Sequence, residues 1–410
     1  MEKTKKKISP TLLFLILFGI VSLFSDMTHE GAASIQGAYL TLVGASATAI
    51  GFVSGLGELV GYSLRYVFGK ITDKTKKYWP MTIIGYFIDI LAVPLLAFVG
   101  RNGWIFACAL LLIQRMGKAI KKPAKDTIMS FAASQEQVGR SFGIQEMLDQ
   151  IGAFLGPLLL YLVMLFKFGN DDFEMYSICF LVLAVPALIT IVLLFLTKKK
   201  FPNPDQFEPE PKEYVPFKMK KSFIFYIIGI SIFAFGFIDY SLVAMHITRT
   251  YVGGNSFITL ENLPLIYSMA MVIDAFAAII FGKLYDKFGI ISLVIASLLS
   301  ASFAVFIFAF NSLPLLMIGV AMWGIGMGAQ ESILKAVVTD LVPKYCRATG
   351  YGIFECSFGI FWFLGSTILG ILYDTSITAM IIVSTSSQLI AIPFYIISYQ
   401  RNKLIVQQKK

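Results

Sequence analysis

The stretch SDMTHEGAASI, residues 25–35, places two carboxylates and an imidazole where a membrane helix should be apolar. The apolar run before it, 11–25, covers only about 22 Å at roughly 1.5 Å per helical residue. A bilayer core is about 30 Å thick, so Asp26, His29 and Glu30 lie at membrane depth. Asp26 and Glu30 are one helical turn apart and share a face, and His29 sits about 60° to one side. Lipid would reject that face, so it should line a cavity. Carboxylates and an imidazole there can exchange protons or hold a polar solute.

Other ionisable residues fall inside apolar runs. The acids are Glu58, Asp89, Glu146, Asp149, Asp239, Asp274, Glu331 and Glu355, and the bases are Arg65, Arg115, Lys118 and Lys335. Glu331 and Lys335 stand one turn apart and read as a structural pair. The excess of acids favours a cationic or amphipathic solute. The two histidines, His29 and His246, occupy the same two runs as Asp26 and Asp239. A shared metal ion is disfavoured, because Asp239 and His246 are about 10.5 Å apart along a helix. No metal and no cofactor is expected. The cysteines Cys108, Cys179, Cys346 and Cys356 show no ligand spacing and read as small hydrophobes.

These side chains need helices to carry them. The chain has 410 residues, 57% hydrophobic and 14% charged, against roughly 25% charged in soluble domains. Such a chain is a polytopic membrane protein. The basic start MEKTKKK followed by an apolar run reads as an uncleaved first helix, since no small-x-small site follows. Twelve spans are expected: 11–42, 46–67, 79–100, 102–120, 139–166, 174–197, 222–250, 262–282, 289–310, 313–338, 349–373 and 376–398. The fold class is therefore all-α, with two six-helix bundles at 1–197 and 222–410. The connection 198–221 holds five of the fifteen prolines and reads as an extended linker. Lys and Arg concentrate in the N-terminal tail, residues 70–77, the linker and the C-terminal tail. That places both termini in the cytoplasm of a multi-pass protein of the cell membrane.

The second half is a weak copy of the first. FGKITDK at 68–74 returns as FGKLYDK at 281–287, an offset of 213, and Asp26 plus 213 is Asp239. Six spans separate the copies, so they share one orientation, with a pseudo-two-fold axis along the membrane normal. Gly69, Asp73 and Lys74, followed by Lys76 and Lys77, match the loop signature of the major facilitator superfamily. Gly282, Asp286 and Lys287 repeat it without the trailing basic pair. The chain resembles a transporter of that superfamily over its whole length, in a largely uncharacterised prokaryotic branch. Gly143, Gly152, Gly156 and Pro157 fall at the spacings of the antiporter signature in the fifth helix. That signature's final glycine pair is replaced by Leu160-Tyr161. Alternatively these glycines serve helix packing alone. The family's fourth-helix arginine signature is only partly present, in Arg115 and Gly117. The resemblance further implies two latches, with Asp73 facing the helix that begins near Arg347 and Asp286 facing the one near Arg140. Each latch glycine would permit close helix approach.

The expected function is secondary active transport of a small organic solute by alternating access, as proton-coupled efflux. The alternative is proton-coupled uptake of an organic solute or a metal chelate. The residues expected to bind solute or handle protons are Asp26, His29, Glu30, Glu58, Arg115, Glu146, Asp149, Asp239, Glu331 and Glu355. No HExxH and no P-loop occurs, so an enzyme is not expected. A channel usually assembles its filter from several subunits, whereas the internal duplication suggests one complete unit per chain. The expected partners are solute, protons and lipid, not nucleic acid, with the chain acting as a monomer. If the linker is only a tether, replacing residues 203–215 with a flexible segment of equal length retains transport. Loss of transport at normal expression would contradict this.

Overall fold

The computed structural model describes residues 10–135, 138–166, 169, 171–203, 219–252, 258–342 and 347–407. The side chains of Asp73, Glu331 and Lys335 lie outside the described set, as do those of Arg140 and Arg347. The described residues form a helical protein of twelve passes. The first half contains α1 (Pro10–Leu42), α2 (Ala47–Thr75), α3 (Tyr78–Leu95), α4 (Trp104–Gln135) and α5 (Val138–Leu165). Its sixth pass is α6 (Asp172–Val182) continued by α7 (Ala184–Lys200). The second half opens with α8 (Lys221–Gly236) and α9 (Tyr240–Tyr251), followed by α10 (Asn262–Phe288). Then come α11 (Ile291–Ser300) with α12 (Phe303–Phe308), α13 (Leu313–Leu341), α14 (Arg347–Thr375) and α15 (Ile377–Gln407).

Among the described residues, eleven passes are long and apolar enough to cross a bilayer. The twelfth, α4, falls short in apolarity because it carries Arg115, Lys118, Lys121, Lys122, Lys125 and Asp126. Pairings recur between the halves: α1 with α5 and α7, and α8 with α14 and α15. Likewise α2 meets α4 as α10 meets α13. This is the six-plus-six arrangement that the sequence repeat implies.

Several boundaries differ from the sequence reading. The fourth span was expected to end at 120, yet α4 runs on to Gln135 with Pro123 inside it. Its lysines find charged partners within the protein, so the helix need not end where they begin. The seventh span was expected to be continuous, but it breaks at Phe237–Asp239. Asp239 is the N-cap of α9, accepting the Ser241 N–H at 2.8 Å, which satisfies an otherwise orphan donor at the break. The ninth pass also breaks, at Ala301–Ser302. Finally, α2 extends to Thr75 and α10 to Phe288, so both charged heptads are final helical turns, not loops.

Within the first half, α1 and α5 cross at glycines. A Cβ on Gly152 would strike the Leu23 carbonyl, and one on Gly156 the Met27 carbonyl. The surroundings of Gly143 lie outside the described residues. Between the halves, a Cβ on Gly37 would strike the Ser241 carbonyl and one on Gly51 the Ser366 carbonyl. Backbones this close require glycine. At that same end Gln36 Nε2 donates to Ser241 Oγ at 3.2 Å. Thr48 donates both its N–H and its hydroxyl to Asp374 Oδ2, each at 2.8 Å. The two halves are therefore tightly closed at the face where α1 ends.

Gly152→Leu should break the α1–α5 crossing. Inserting a side chain into a packed contact costs about 1–3 kcal/mol or more, so the thermal midpoint in detergent should fall by several degrees. An unchanged midpoint would show that α1 and α5 are not held this closely.

Candidate functional site

Two connected cavities lie between the halves. The first, about 590 Å³, is bounded by α1, α4 and α5 on one side and α10 and α13 on the other. The second, about 310 Å³, reaches toward α2, α9 and α14. Glu30, Lys118, Lys122, Tyr267 and Met327 line both, so they form one chamber with two lobes. The chamber occupies the middle of the protein and the half nearer the start of α1. Its other end is shut by the α1–α9 and α2–α14 contacts.

The first lobe holds Asp26, Glu146 and Asp149 opposite Lys118, Lys121, Lys122 and Lys125, with Asp274 contributed by the second half. Asp26, Asp149 and Lys125 are electrostatic neighbours. The second lobe holds His29, Glu58, Arg115, Asp239 and Glu355. Arg115 Nη1 pairs with Glu58 Oε1 at 2.7 Å, and Arg65 Nη1 approaches Glu355 Oε1 at 3.9 Å across the halves. Glu30 accepts a hydrogen bond from the Tyr267 hydroxyl of the other half at 2.6 Å. Nine of the ten expected site residues thus gather around one chamber. The tenth, Glu331, has its side chain outside the described residues.

Helix α4 supplies the cations. Arg115, Lys118, Lys122 and Lys125 recur every three or four residues and form one stripe. Lys121 points aside into the first half, where it forms an ion pair with Asp89. Ser25 Oγ accepts from Lys121 at 3.0 Å, and the Tyr86 ring lies 4.0 Å from the ammonium. Asp89 is only 1% exposed, and Lys121 reaches it from the wall of the first lobe. Lys118 donates to His29 Nε2 at 3.0 Å, which makes that nitrogen the acceptor and leaves the ring proton on Nδ1. Gln114 Nε2 lies 2.7 Å from Nδ1; with the amide turned about, its oxygen would accept the ring proton. His29 is thereby fixed as a neutral support for the Lys118 ammonium.

The sequence reading missed Lys121, Lys122 and Lys125 because it ended the span before them. Their presence reduces the excess of acid on which the expectation of a cationic solute rested, to eight acids against six bases lining the two lobes. It also missed the aromatic wall of the second lobe: Tyr240, Tyr267, Trp323, Phe358 and Trp362. Tyr240 and Tyr267 pack edge to face at 4.4 Å, and Phe358 lies 5.3 Å from Trp362. His246 lines neither lobe. It is buried on α9, with Nδ1 3.0 Å from the Tyr373 hydroxyl. Among the described residues, no three His, Cys, Asp or Glu side chains are grouped to hold a metal ion.

The latch residues are only partly described. Lys74, Asp286 and Lys287 are exposed. A Cβ on Gly69 would meet only Pro123 at 3.8 Å, and one on Gly282 nothing within 4 Å. Neither glycine sits at a close helix contact in this conformation.

The model of the Major Facilitator Superfamily matches residues 11–289 and again 245–408. An uncharacterised protein of Mycobacterium tuberculosis is 35% identical over 385 residues, covering 92% of this chain and 91% of its own. An uncharacterised MFS-type transporter of Methanocaldococcus jannaschii is 28% identical over 370 residues, 88% of each chain. Among solved structures, a POT family transporter in complex with 5-aminolevulinic acid aligns with a TM-score of 0.73 at 13% identity, over 95% of this chain and 96% of that one. The nucleoside transporter NupG aligns at 0.68 and 14% identity, over 96% and 99%. The chain has the fold of a secondary transporter, a multi-pass membrane protein that moves a small solute by alternating access. It belongs to the Major Facilitator Superfamily.

Removing Asp89 while keeping Lys121 leaves a buried cation unpaired, a loss of about 3–5 kcal/mol. Asp89→Asn should therefore unfold far more readily in detergent. Asp89→Leu combined with Lys121→Met removes both charges and should recover most of that loss. A double variant no more stable than the single one would contradict the pairing.

Proposed function

We propose that the protein exports a small organic solute in exchange for protons, with both termini in the cytoplasm. Residues 1–197 and 222–410 are the two moving bodies, tethered by 198–221. The observation that carries this reading is the first lobe, where Asp26 and Asp149 share one interior space with Lys125 and Lys118. A buried carboxylate between protonation states is sensitive to any charge that enters beside it. Solute arrival or departure then changes whether Asp26 holds a proton, so solute and proton need never touch. The partial glycine signature on α5 is compatible with antiport, though Gly152 and Gly156 also have a packing role against α1. Closure at the far end and the chamber near the start of α1 correspond to an inward-facing state, if that face is cytoplasmic. Asp73 and Asp286 would latch the cytoplasmic side in the opposite state.

Uptake remains the second reading, and the POT and nucleoside transporters of similar fold are the observation in its favour. A solute screen in proteoliposomes under a pH gradient of either sign separates the two. Asp26→Asn tests the coupling residue. The variant should fold and still exchange solute, yet lose its acceleration by the gradient. Gradient-driven transport at the native level would remove Asp26 from the coupling role.

A further inference from the structure

The second lobe has an imbalance that the transporter reading leaves unexplained. Its carboxylates are already engaged. Glu58 accepts from Arg115, Glu30 from Tyr267, Asp239 from the Ser241 N–H, and Glu355 faces Arg65. Its donors are not. Arg65 Nε, the Tyr240 hydroxyl and Trp362 Nε1 are buried and have no hydrogen-bond partner. Every unpartnered buried polar atom that lines this lobe, among the described residues, can donate. An unsatisfied buried donor is costly, and these three stand in the wall of the lobe, where a ligand rich in acceptor oxygens would satisfy them after a small side-chain shift.

The sign of charge follows from Lys118, which lines both lobes. Arg115, Lys121 and Lys122 each have a carboxylate within ion-pair distance. Lys118 has none among the described residues, and its hydrogen-bond partner is the neutral acceptor nitrogen of His29. One turn to either side stand Arg115 and Lys122. Those two are offset by their carboxylate partners, so the charge that a ligand can answer is that of Lys118, held between low-dielectric walls. Opposite it, Tyr240 and Trp323 lie with rings 5.2 Å apart, and Phe358 and Trp362 continue the wall. Such a surface accepts an apolar or planar body. The lobe's 310 Å³ is at the lower end of volumes that hold organic ligands, about 300–1,000 Å³.

We infer that the second lobe binds an organic anion, its carboxylate or similar oxygen-bearing group at Lys118 and its apolar or aromatic body against Tyr240, Trp323 and Trp362. This rests on the transporter reading for the consequence that such an anion is the cargo; because an anion near Asp26 favours its protonation, such a cargo fits proton-coupled uptake, the second reading. The binding itself can be measured without transport.

The test uses the full-length protein in detergent with two compounds of matched body, 3-phenylpropionate and 3-phenylpropylamine. Thermal midpoints and tryptophan fluorescence are read across millimolar titrations. The acid should raise the midpoint, and the amine should not. Lys118→Gln should weaken the acid by about tenfold or more, and Lys118→Arg should retain most of the affinity, as expected for a charge-assisted contact. Trp362→Phe should weaken it less. The unliganded midpoints show whether each variant is folded, and Lys118→Arg keeps the test decisive if Lys118→Gln is not. An amine bound as well as the acid, an acid unaffected by Lys118→Gln, or no response to the acid would each overturn the proposal. No pH gradient is involved, so a failure of proton coupling leaves this result intact, and the reverse also holds.

Discussion

A charged side chain at the centre of a bilayer is tolerated only where protein, water or a counter-charge replaces lipid around it. The architecture of this chain follows from that constraint. Asp26, Glu30, Glu58 and Arg115 cannot face hydrocarbon, so the helices that carry them must turn inward toward one another. Two helical halves doing this at once leave a polar chamber between them. The same constraint explains the pairing of Arg115 with Glu58 and the enclosure of Lys121 by Asp89, Ser25 and Tyr86. It also explains why Lys118, which has no carboxylate at ion-pair distance among the described residues, sits where a ligand could reach it.

Glycine does the complementary work. The crossings at Gly37 and Gly51 bring backbones of the two halves into contact at the closed end. They carry few polar bonds, chiefly Gln36 to Ser241 and Thr48 to Asp374. Contacts of this kind hold by surface fit and can part without stranding a buried charge. The chamber end is polar and the closed end is smooth, which suits a body that rocks about a central site.

Much of the fold was legible in the sequence because hydropathy and length constrain membrane helices so strongly. The twelve passes, the duplication and the inward face of α1 all followed from apolar runs interrupted by charge. The missed features share a physical cause: each depends on what lies opposite. The run KKPAKD reads as a loop until Asp89 and Asp149 are seen to face it, and only then is α4 a helix to Gln135. The break at Phe237–Asp239 has no proline, and its cap is apparent only once Asp239 is seen to accept from Ser241. Tyr240, Trp323 and Trp362 are unremarkable in a chain with 14% aromatic residues, and their donors count as unsatisfied only in three dimensions. The latch heptads were visible as a repeat, but their helical setting and the open space beside Gly282 were not.

The central claim is that the closed end must open for solute to cross. Cysteines at Gln36 and Ser241, whose side chains now meet at 3.2 Å, would tie α1 to α9 at that end. Transport by the double variant should stop when the pair is oxidised and return when it is reduced, with each single variant unaffected. Undiminished transport through the cross-linked protein would contradict alternating access at this interface.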